Sequence, residues 1–80
     1  MSRVVNCDVH DHFEIACMRR SLINVELHSK QLLEGVALDV FARKGQEYLK
    51  IKTENLIQDI ELTDIAFLRF KDDGKLIKVS

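Results

Sequence analysis

The apolar positions of this chain change period once, at Ser21. Before it, Val9, Phe13, Ala16 and Cys17 fall at i, i+4, i+7 and i+8, which is one face of a helix. Asp8 is suited to cap that helix, with Asp11 at the third helical position and Glu14 a turn later. All three acids lie near the positive end of the helix dipole, and Arg19 and Arg20 lie in the last turn, where cations are favoured. The pattern predicts a short amphipathic helix over about residues 8–20.

After Ser21 the period is two. Ile23, Val25 and Leu27 alternate with Asn24, Glu26 and His28, as in a half-buried strand. His28-Ser29-Lys30-Gln31 reads as a turn, and a second strand runs from Leu32 to about Phe41. Gly35 inside it predicts a bulge or sharp bend. Arg43-Lys44-Gly45-Gln46 is a basic turn with a glycine for positive φ. Further strands are predicted at Tyr48–Lys52, Leu56–Leu62, Ile65–Phe70 and Leu76–Val79, with Asp73-Gly74 as the last hairpin turn. One helix and then five or six short strands predict a mostly β fold with one N-terminal α-helix. The expected form is a small SH3-like or Sm-like antiparallel β-sandwich or partly open barrel, with the helix over one open end.

Composition bounds this picture. The chain has 80 residues and no proline, which is expected to form a single domain over 1–80 with a modest core. No apolar run is long enough to span a bilayer, and the N-terminus lacks the apolar stretch of a signal peptide, so a cytoplasmic protein is expected. A net charge of −1 speaks against a dedicated nucleic-acid binder, since such domains usually carry a basic surplus. In a reducing cytoplasm Cys7 and Cys17 stay thiols. On one short helix they also stand too far apart to bridge.

Candidate chemistry concentrates in VNCDVHDHFEIAC, residues 5–17. Cys7, His10, His12 and Cys17 are all zinc-ligand types. They lack the paired spacing of a structural zinc site, and a helix points His12 away from the others, so no metal is expected. Cys17 is otherwise a small apolar group. Catalysis would need a nucleophile, a base and an orienting group within reach, and the chain shows neither a phosphate loop nor a nucleophile elbow. RNA binding would use Arg43, Lys44, Lys50 and Lys52. Phe13, Phe41, Phe67 and Phe70 fit core spacing, which leaves Tyr48 as the one stacker. The remaining reading is an acidic helix edge, Asp8, Asp11 and Glu14 with no base between them, that meets a basic groove on another protein.

The run Val5-Asn6-Cys7-Asp8, followed by Asp11, Glu14 and Ala16-Cys17, resembles the opening signature of the Rho-binding antiterminator family, Rof or YaeO. The resemblance continues through Val25-Glu26-Leu27, Ala37, Asp39, Arg43-Lys44 and Glu47-Tyr48-Leu49, and fades after about residue 52. The Asn-Cys-Asp box and the Arg-Lys-x-x-Glu-Tyr-Leu box are more specific together than apart. His10 stands where the family pattern has a tyrosine, and Ser29-Lys30 replaces its usual Asp-Gly turn.

The resemblance implies an N-terminal helix on an Sm-like β-sandwich and no enzymatic activity. No cofactor is expected, and the free chain is expected to be monomeric. The resemblance implies one partner, the transcription terminator Rho, a hexameric RNA-dependent ATPase helicase. The chain would block the primary RNA-binding sites on the N-terminal OB-fold domains of Rho, competing with RNA and reducing termination. Asp8, Asp11 and Glu14 would pair with lysines and arginines of the RNA groove. His10 would pack into or beside a base pocket, and Arg43 and Lys44 would add a second contact. Direct RNA binding by an Sm-like domain is the second reading.

Overall fold

Helix α1 (Cys7–Arg19) takes the amphipathic register expected of it. Val9, Phe13 and Ala16 are buried and Cys17 is half-buried against the core. The computed structural model describes residues 7–79, with side chains from Val9 onward. Asp8 lies inside the first turn of α1 rather than ahead of it, so it does not cap the helix from outside. The other end also differs from expectation. Arg20 is not in the last turn but takes a left-handed φ of 54°. Its N–H donates to the Cys17 carbonyl at 3.2 Å, and the Ser21 N–H donates to the Ala16 carbonyl at 2.9 Å. This pair of bonds is a Schellman cap, which satisfies the last carbonyls and turns the chain into the first strand.

Six strands follow: β1 (Leu22–Leu27), β2 (Leu32–Arg43), β3 (Gln46–Thr53), β4 (Leu56–Glu61), β5 (Ile65–Phe70) and β6 (Leu76–Lys78). They form one antiparallel sheet in the order β4-β3-β2-β1-β5-β6. This is the expected small, mostly β, Sm-like arrangement. The sheet is open, with β4 and β6 as its edges. Leu62 was read as the end of β4 but belongs to a 3-10 turn, Leu62–Asp64. The turn buries Leu62 and sends the chain across to pair β5 with β1.

Strand β2 bends. A Cβ on Gly35 would fall on the Lys52 carbonyl, 2.8 Å from its carbon, and 3.0 Å from Ile51 Cγ1. The glycine therefore serves a close backbone approach. The bulge lies further on: Ala37 pairs Ile51 and Asp39 pairs Lys50, which leaves Leu38 as the extra residue. At the β2–β3 turn both Lys44 and Gly45 have positive φ, 52° and 79°. That is the signature of the two-residue hairpin turn whose twist suits the strands.

The core lies between α1 and the concave face of the sheet. Phe13, Ile23, Leu49, Ile51, Leu62, Ile65 and Leu68 are its largest fully enclosed apolar side chains together with Val25. Burying a side chain such as Phe13 contributes roughly 2–3 kcal/mol. Phe41 and Phe67 were expected in this core with Phe13 and Phe70, and they are not. Both are half-buried on the other face of the sheet. Tyr48 opposes Phe41 across the β2–β3 pair, with Leu49 next to it in the core. Spacing of period two fixes which residues share a face but not which face is covered.

Candidate functional site

Helix α1 runs along β2, and its solvent side carries Asp11, Glu14, Ile15 and Met18, all exposed. Asp11 makes no ion pair among the described residues. Glu14 is a turn beyond His10, and His10 Nδ1 stands 3.3 Å from Glu14 Oε1. The other ring nitrogen, His10 Nε2, contacts Glu47 Oε2 on β3. These two contacts tie the first half of α1 to the β2–β3 hairpin.

The side chain of Asp8 lies outside the described residues. Of the other residues read from sequence, the fold brings His10, Asp11 and Glu14 to one helix edge. Lys44 sits at the tip of the hairpin that carries Glu47. Arg43 is separated from the acids. Its guanidinium carbon lies 5.3 Å from the centre of the Phe41 ring, on the face of β2 turned away from α1. Phe41 and Tyr48 stack at 5.5 Å with an interplanar angle of 20°, and Lys50 Nζ is 5.5 Å from the same Phe41 ring.

Glu47 was not among the residues read as a site. It stood in the Arg-Lys-x-x-Glu-Tyr-Leu box, and alternation with core Leu49 was the signal that turns it toward the helix. Asp39 was likewise only a motif residue, yet it stands across from α1 at the bulge. With Glu14, Cys17, Met18, Leu38 and Val40 it lines a groove of about 410 Å³. Cys17 is a free thiol. Burial, then the Asp39 carboxylate, push it up to about 11; Arg20 opposes them and Glu14 adds to them. No group of three His, Cys, Asp or Glu side chains among the described residues is placed to hold a metal ion. No helix among them is long and apolar enough to cross a membrane.

A bent, open six-stranded antiparallel sheet with a helix on one face, and with its charged groups on exposed edges, defines a small, mostly β module. The chain belongs to the family described as "Modulator of Rho-dependent transcription termination (ROF)", whose model matches residues 4–80. The match thus runs through the last strands, where the sequence motifs fade. The chain is 27% identical over 73 residues to "Protein rof" of Escherichia coli (strain K12), covering 91% of this chain and 87% of that protein. The protein of the same name from Shigella flexneri matches equally. In fold it is similar to a solved structure titled "YaeO bound to Magnesium from Vibrio cholerae O395", with a TM-score of 0.79 and 19% identity. That likeness covers 88% of this chain and 96% of the other.

Proposed function

We propose that this chain, acting in the cytoplasm as one domain over residues 1–80 and monomeric when free, binds Rho and inhibits termination. It does so by occupying the primary RNA-binding sites on the N-terminal OB-fold domains. The observation that carries this reading is the exposed carboxylate edge of α1. Among the described residues Asp11 makes no ion pair, and Glu14 pairs only with His10. A groove that holds RNA phosphates is lined by lysine and arginine, and such an edge is complementary to it. The His10–Glu47 contact ties this edge to the β2–β3 hairpin, and in this reading Lys44 at the hairpin tip adds the second contact. Family membership makes Rho the partner to test.

The test is calorimetry of Rho with wild type and with Asp11→Lys, beside a melt of each. Asp11→Lys places like charges together and should weaken binding by about 2 kcal/mol or more at a desolvated contact, with an unchanged melt. Binding of the wild type should weaken as salt rises. It should also displace a pyrimidine-rich RNA from Rho. Unchanged affinity of the variant would remove the helix edge from the interface. Direct RNA binding would draw on Tyr48, Phe41, Arg43 and Lys50, but these rings already stack on each other and both cations already lie over Phe41. A gel shift of RNA by the chain without Rho would favour that reading instead.

A further inference from the structure

The bulge at Leu38 interrupts the alternation of β2 where the strand faces the second half of α1, and the groove of about 410 Å³ opens there. Its floor is apolar: Cys17 and Val40 pack against the core. Met18 stands at the rim with 83% of its surface exposed, the largest fraction of any large apolar side chain among the described residues. The helix wall supplies Glu14, and the strand wall supplies Asp39. Asp39 forms no ion pair among the described residues, and Oδ1 accepts only the Val40 N–H at 2.9 Å. Both residues line the same groove, one from the helix and one from the strand.

An apolar floor between two carboxylates matches a side chain with an apolar stem and a cationic end. Those are the side chains of arginine and lysine. An apolar peptide would leave the two carboxylates desolvated and unpaired, which is costly, and an acidic one would be repelled. A thioether at the rim adapts its rotamers to a stem laid across it.

We infer that the groove between α1 and the β2 bulge receives one long cationic side chain, arginine or lysine, from the protein partner. Its stem lies on Met18, Leu38 and Val40, and its charge lies between Glu14 and Asp39. The inference rests on the Rho-binding reading and adds a specific pocket to it, between α1 and β2.

The test is Rho affinity by calorimetry for Asp39→Asn and Met18→Ala, with Asp11→Lys run in parallel. Asn keeps an oxygen for the Val40 N–H, so Asp39→Asn removes charge and leaves the local turn. Both residues are exposed, and melts should match wild type. Asp39→Asn should weaken Rho binding about ten-fold and flatten its salt dependence, and Met18→Ala should weaken it about three-fold. If both stay within two-fold of wild type while Asp11→Lys loses binding, the groove takes no partner side chain and the inference fails, with the Rho reading intact. If wild type itself has no affinity for Rho, both fall.

Discussion

Glu47 and Tyr48 are neighbours in the chain and end on opposite faces of the β2–β3 hairpin. On the helix side, Glu47, His10 and Glu14 make a chain of contacts in which two carboxylates share one imidazole, beside Asp11, which has no ion pair among the described residues. On the other side, Tyr48 stacks on Phe41, and Arg43 and Lys50 both lie over that ring. The second face is the richer in the groups that recognise RNA, yet it is matched internally. The first is plain in composition, and its Asp11 has no ion pair among the described residues. A charged or aromatic group advertises a partner when the fold leaves it without one, and residue type alone does not report that.

The comparison breaks first at Phe13, which is fully buried and holds α1 to the sheet. Phe13→Ala should lower stability by about 3 kcal/mol or more, read from denaturant unfolding. If it costs almost nothing, the helix face is not built by docking. The next test separates the two sides of the hairpin. Tyr48→Ala removes half a stacked pair and part of a half-buried ring, at about 1–2 kcal/mol, and should leave Rho affinity unchanged. Glu47→Ala should cost less than about 1 kcal/mol, because Glu47 is exposed. It should nevertheless weaken Rho binding, since His10 then has no carboxylate on the hairpin to hold it. Equal effects on Rho binding would erase the distinction between the faces. The smallest effect is at Cys17. Its folded pKa, pushed up to about 11 from the ordinary thiol value of 9.0, means that the unfolded chain loses its proton first as pH rises. The contribution is full below about pH 9 and is lost toward pH 11. Alkylation of Cys17 should be slow at pH 8 and speed up on unfolding, and Cys17→Ala should be less sensitive to pH across that window.

The order of elements was legible because it is local. Helical spacing of Val9, Phe13 and Ala16, alternation through Ile23 and Val25, and the glycines of the β2–β3 and β5–β6 turns each act within a few residues. The cap at Arg20 was not legible, since a left-handed arginine has no sequence mark that a glycine would supply. Nor was the 3-10 turn at Leu62, whose burial comes from residues distant in sequence. The acids of the helix were readable as a set, because helix spacing alone puts Asp11 and Glu14 on one edge.

By itself, the sequence determined one helix, an antiparallel set of short strands, and an acidic edge, because period and turn chemistry are properties of neighbouring residues. Tertiary structure alone decided which face of each strand α1 covers. That choice sent Phe41 and Phe67 outward, paired Arg43 with a ring, and aimed Glu47 at His10. It also placed Asp39 across a groove from Glu14. Each of those partners lies on another element, and the distance between elements is set by packing of the whole core, which no local pattern records.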